Sequence, residues 1–122
     1  MLQRMEGLPE GVLGFSAKGT VTRLDYEQVI VPAVEEAFTK NRKVRFLYSL
    51  GDDFSNFEAA AMWEDAKIGL RHLGSWERVA VVTDVDWIRA AVKAFGFLFH
   101  GHVRVFGNGE LAEARVWISE GA

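Results

Sequence analysis

Apolar positions along the chain change their period several times, and each change marks an element. Val12 to Val21 (VLGFSAKGTV) reads as a strand following the turn Leu8-Pro9-Glu10-Gly11. Pro9 and Gly11 favour a tight reversal, so Met1 to Leu8 is expected to pair antiparallel with that strand. Tyr26, Val29, Ile30, Ala33, Val34, Ala37 and Phe38 then recur at i, i+3, i+4 spacing, which predicts an amphipathic helix. Thr22-Arg23-Leu24-Asp25 opens it as a capping box with Asp in place of Glu. Pro32 lies inside the stripe and removes one backbone hydrogen bond, so a kink near Gln28 is expected rather than a break.

Lys43 to Leu50 (KVRFLYSL) returns to alternation and predicts a strand. Ser55-Asn56-Phe57-Glu58 has capping-box spacing and predicts a second helix running to Leu73, stopped by Gly74. Its inward stripe is read as Ala59, Met62, Trp63, Ala66, Leu70 and Leu73, with Glu64, Asp65, Lys67 and Arg71 facing water. Arg78 to Thr83 (RVAVVT) is nearly continuous in apolar residues, as in a strand covered on both faces. Asp84 or Asp86 is read as the cap of a third helix using Ile88, Ala91, Val92, Phe95, Leu98 and Phe99. Val103 to Phe106 forms the last strand. Asn108 caps a last helix with Leu111, Ala114, Trp117 and Ile118 on its apolar face. Strands and helices that alternate through short connections require right-handed crossovers and a mainly parallel sheet. The fold class is therefore α/β, with an antiparallel N-terminal strand, and residues 1–122 are read as a single domain.

Composition narrows the function. A chain of 122 residues, 49% hydrophobic and 25% charged, can bury its own core. A net charge of −3 with scattered basic residues argues against nucleic acid. The absence of cysteine excludes disulfides, thiolate zinc sites and thiol nucleophiles, and suits the cytoplasm. No apolar run approaches the ~20 residues of a membrane span.

The run RVAVVTD-x-x-W-I-x-x-A, followed by F-G-F-L, H-V-R-V-F and E-L-A-E-A-x-x-W-I, resembles the bacterial SpoIIAA-like family, which is related to STAS domains. The DYEQVIVPAVEEA helix and the KVRFLYSL strand are similar to it as well, so the resemblance extends from Val12 to Ile118. It implies a right-handed β-α superhelix and a non-catalytic binding role. Relatives include anti-sigma-factor antagonists switched by serine phosphorylation, and the fold also resembles CRAL-TRIO lipid carriers, which bind apolar ligands. In the antagonists the switched serine sits in an Asp-Ser-Ser/Thr-Gly turn. Here that turn reads Gly51-Asp52-Asp53-Phe54-Ser55. Ser55 is its one candidate for phosphorylation, and the neighbouring Asp52 and Asp53 would repel a phosphate. The plain reading of Ser55 is an N-cap.

Asp52, Asp53, Asp84 and Asp86 follow the C-terminal ends of two strands, where α/β sheets place ligands. As neighbours they would make an acidic rim suited to a hard cation or to acid–base chemistry; as caps they would do neither. His100-x-His102 offers two metal ligands without a third nearby in sequence, so neither metal nor cofactor is assigned. No nucleophile elbow or phosphate-binding glycine spacing is present. Aromatic residues form the remaining signal. Phe54, Phe57, Trp63, Trp87, Phe95, Phe97 and Phe99 concentrate around the second and third helices, as core, as a subunit interface, or as the wall of an apolar pocket. The expected ligand or partner surface is the Asp52–Phe57 segment with Trp63, the third helix and the Phe95–Phe99 run. It would serve a homodimer, a protein partner or an apolar small molecule such as a lipid. The opposing expectation is a small enzyme using the acidic rim.

Overall fold

A computed structural model describes residues 1–98 and 101–122. In chain order the elements are β1 (Leu2–Arg4), β2 (Val12–Ala17), β3 (Gly19–Val21), α1 (Arg23–Asp25), α2 (Val31–Lys40), β4 (Val44–Leu50), β5 (Phe54–Phe57), α3 (Ala59–Arg71), β6 (Trp76–Thr83), α4 (Asp86–Phe95), β7 (His102–Phe106) and α5 (Leu111–Ser119). Five strands form one sheet in the order β1-β2-β4-β6-β7. The β1–β2 pair is antiparallel, and β2–β4, β4–β6 and β6–β7 are parallel. The α/β class, the mainly parallel sheet and the antiparallel N-terminal strand are as the sequence predicts.

Period-two alternation distributes the sheet's side chains between two apolar clusters. Along β4, Val44, Phe46, Tyr48 and Leu50 enter the larger cluster, with Tyr26, Ile30 and Val34 of the first helical segment and Ala61 and Ile68 of α3. Leu47, with Ala80 and Val82 of β6, enters the smaller one against Ala114 and Ile118 of α5. A register shift between β4 and β6 pairs Val44 with Trp76 and then Arg45 with Arg78, leaving Glu77 as the extra residue. That irregularity turns Trp76 to the same side as Val79 and Val81, which strict alternation from Trp76 would not do.

Two local predictions are corrected. The stretch from Val12 to Val21 is not one strand. It breaks at Lys18, and Gly19, at a φ of 60°, redirects the chain so that β3 pairs parallel with β5 in a separate two-stranded sheet. Ser55 to Glu58 is not a capping box, because Phe54–Phe57 is a strand and α3 starts only at Ala59. The Glu58 carboxylate instead accepts from the backbone N–H of Arg23, 3.2 Å away, and so caps α1. The Thr22–Asp25 capping box forms as expected. Pro32 is accommodated without a break, because Tyr26–Ile30 is a π-helical turn that leads directly into α2.

Candidate functional site

The later start of α3 decides how it lies on the sheet. Ala61 and Ile68 are its buried residues, whereas Met62, Trp63 and Leu70, read as inward, are exposed. Asp65, read as facing water, is exposed as expected and also accepts a hydrogen bond from the hydroxyl of Tyr26. The helix is rotated from the predicted stripe, and its inner edge leaves a gap towards α4.

That gap is a groove of about 470 Å³. Its floor is the sheet: Phe46 and Tyr48 from β4, Trp76, Val79 and Val81 from β6, and Val103 from β7. One wall is α3, through Asp65, Ala66, Ile68, Gly69 and Leu70. The other is the end of α4 and the turn after it, through Ala91, Val92, Phe95, Gly96 and Leu98. The floor is an aromatic ladder, with Phe46 edge-on to Tyr48 at 5.6 Å and to Trp76 at 5.9 Å between ring centres. Leu70, Phe95 and Leu98 line the groove and are also exposed, which places them at its mouth. The size and the lining are those of a small-molecule site.

One polar chain enters this apolar wall. Tyr26 donates to Asp65 Oδ1 at 2.8 Å, and the hydroxyls of Tyr26 and Tyr48 lie 3.0 Å apart. Each hydroxyl carries one proton, so with that of Tyr26 committed to Asp65, Tyr48 donates to Tyr26. Burial and then the Asp65 charge raise the pKa of Tyr26 well above the ordinary tyrosine value. Burial likewise raises Tyr48. Asp65 lines the groove and remains exposed to solvent, while the protein atoms around its carboxyl push its pKa up against the Tyr26 hydrogen bond that lowers it. The other polar side-chain atom of the floor, Trp76 Nε1, donates to the Gly69 carbonyl at 3.2 Å.

The residues expected to form a single surface are dispersed. Phe54 and Phe57 of β5 pack together at 4.9 Å, and Phe57 reaches Tyr48 at 6.1 Å, on the core side. Trp63, Trp87, Phe95 and Phe97 are 66%, 53%, 61% and 79% exposed, so none is sealed in the core. Of these, Phe95 lines the groove; Trp63 and Trp87 do not, and Phe97 borders an adjoining hollow beside β7 that shares Val92, Gly96 and Val103 with the groove. Ser55 is exposed in β5. Phe99 and His100 lie outside the described residues.

The acidic rim is partly assembled. Asn108 joins two of its members, donating from its side-chain amide to Asp52 Oδ1 at 3.0 Å and from its backbone N–H to Asp84 Oδ1 at 2.9 Å. Neither Asp84 nor Asp86 caps α4, whose cap position is Val85; the Thr83 hydroxyl accepts the Val85 N–H. Asn108 does not cap the last helix either. It begins a 3₁₀ turn, and Glu110 accepts the Gly107 N–H. Asp53 is exposed in the turn before β5. Among the described residues, no group of three or more His, Asp or Glu side chains converges in a way that could hold a metal ion. No described helix is long and apolar enough to cross a membrane.

Residues 12–119 match the SpoIIAA-like family model. The chain belongs to the SpoIIAA-like family. Among solved structures it is similar to an uncharacterized protein with a SpoIIAA-like fold from Shewanella loihica PV-4. The TM-score is 0.75 and the identity 24%, over 97% of this chain and 92% of that one. At that identity the likeness establishes the fold. No functionally curated protein matches the sequence. Family membership leaves the groove's role open, because a shared fold carries many functions.

The groove's polar members escape sequence reasoning. A usable signal was present, since Tyr26 and Tyr48 both fall on predicted inward positions, and a buried phenol needs a partner. That requirement points to a polar residue on the helix packed above them, and Asp65 fills it.

Proposed function

We propose that this SpoIIAA-like domain is a non-catalytic binding module that takes an apolar small molecule into the groove between α3 and α4. The groove itself carries the reading: about 470 Å³, with aromatic and aliphatic side chains on floor and walls and a single polar chain at one side. Tyrosines held protonated suit anchoring more than proton exchange. The acidic-rim enzyme has less support, because Asp52 and Asp84 are both engaged by Asn108. A second reading is supported by Phe97, which is exposed yet lies outside the groove lining: the same end of the molecule serves as a protein contact, with a second copy of the chain as the simplest partner. A cysteine-free chain of this kind suits a cytoplasmic carrier.

Titration with 1-decanol, followed by calorimetry, tests the groove reading. The wild type is expected to bind it. Ala91→Trp, which places an indole in the groove from the α4 wall, is expected to lose the binding while melting normally. Failure of the wild type to bind, or unchanged binding by a folded Ala91→Trp variant, overturns the assignment.

A further inference from the structure

The groove is apolar except at one carboxylate, and among the described residues no cation pairs with it. Asp65 is the one charged residue among those lining it. Of the basic residues on the two wall helices, Lys67 pairs with Glu64 at 2.9 Å, Arg71 pairs with Glu35 at 2.8 Å, Arg89 donates to the Thr83 carbonyl at 2.8 Å, and Lys93 borders the hollow beside β7 rather than the groove. His72 also lies against Glu35. Among the described residues, the only hydrogen bond to Asp65 comes from Tyr26 and reaches Oδ1, so Oδ2 keeps its full accepting capacity. Tyr48 and Trp76 already donate within the protein. Asp65 is an exposed residue on the groove wall, so a ligand lying in the groove can reach its carboxylate.

We propose that the occupant of this groove is an amphiphile with an apolar body and one protonated amine, its ammonium seated on the Asp65 carboxylate. The inference rests on the groove reading above and adds the charge of the ligand's polar end. An ammonium brings both the opposite charge and several N–H donors, so it neutralises Asp65 and fills Oδ2 together. An alcohol supplies one donor and no charge. A carboxylate at the same place repels Asp65, and binds only by sharing a proton with it.

Three ten-carbon probes that differ only at the head separate these cases: decylamine, 1-decanol and decanoate. Each is titrated calorimetrically into the purified protein at neutral pH, below the concentration at which it forms micelles. Decylamine is expected to bind about tenfold or more tighter than 1-decanol, as a charge-assisted hydrogen bond implies, with decanoate weakest. Asp65→Asn, whose amide oxygen still accepts from Tyr26, is expected to abolish the preference, bringing decylamine down to the level of the alcohol. If decanoate matches or exceeds decylamine, or if Asp65→Asn binds decylamine as the wild type does, the amine assignment is wrong. The wild-type ranking decides the matter even if the variant folds poorly. Binding of 1-decanol without preference for the amine removes this inference alone, whereas failure of all three probes removes the groove reading with it.

Discussion

At the scale of single residues, the pair of Asp65 and Arg45 shows how much a charge depends on what surrounds it. Arg45 is buried in β4, but its guanidinium donates to Glu77 at 2.6 Å and to the carbonyls of Ile118 and Glu120, so it ties the end of α5 to the sheet. Asp65 has one phenol and a raised pKa. A carboxyl whose pKa is higher folded than unfolded favours the folded state fully in acid, below the ordinary carboxylate range. That contribution is lost as the pH rises through the raised value. Asp65→Asn should therefore melt higher than the wild type at neutral pH, and the gap should close on acidification below the ordinary carboxylate range. Thermal melts of both proteins across that range check the sign. A variant that melts lower at neutral pH would show that the Tyr26 hydrogen bond outweighs desolvation. Sequence pattern placed Asp65 on the water side, where it is, but spacing along one helix does not register the phenol that another element presents to it.

At the scale of elements, what was legible is what local periodicity encodes. The Tyr26–Phe38 stripe, the alternation of Val44 to Leu50 and the apolar run ending at Thr83 all sit where the pattern puts them. The failures come from contacts distant in sequence. Ser55-x-x-Glu58 satisfies the spacing of a cap, yet pairing with Gly19–Val21 makes it a strand and sends Glu58 to the helix that Thr22 opens. That displacement sets the rotation of α3, and with it the groove, which is why the site was less legible than the fold. The approach of β7 to β6 is another long-range constraint. A Cβ on Gly101 would collide with the backbone carbonyls of Trp76 and Glu77. Those atoms belong to an interior strand and have little room to yield. Gly101→Ala is expected to destabilise the protein by roughly 1–3 kcal/mol through overpacking. Chemical denaturation measures it, and a change indistinguishable from zero would mean that the entry to β7 is looser than its close approach implies.

At the scale of the whole molecule, the two sides of the sheet are finished differently. The α5 side closes over Leu47, Ala80 and Val82 with Ala114 and Ile118 buried to 0% exposure. On the other side α3 and α4 stand apart, and Trp63, Leu70, Phe95 and Phe97 all remain more than 60% exposed. Scattered exposed apolar residues need no explanation, but on the proposed reading those on the helices that frame the groove are covered in use. A ligand within the groove would cover its floor and the inner faces of Leu70 and Phe95 but not Phe97, which on the proposed reading is left for a second copy of the chain. Two-fold self-association is the commonest closed assembly and needs no other gene product. Sedimentation of the wild type should then give a two-chain species that dissociates on dilution, and Phe97→Glu should sediment as one chain, because a charge at the contact is desolvated without a partner. The same variant should still bind 1-decanol, since Phe97 lies outside the groove lining. A wild type that sediments as a single chain at every concentration removes the dimer and leaves the groove reading intact, whereas loss of both properties in a folded Phe97→Glu variant would show that the groove is completed only by the second chain.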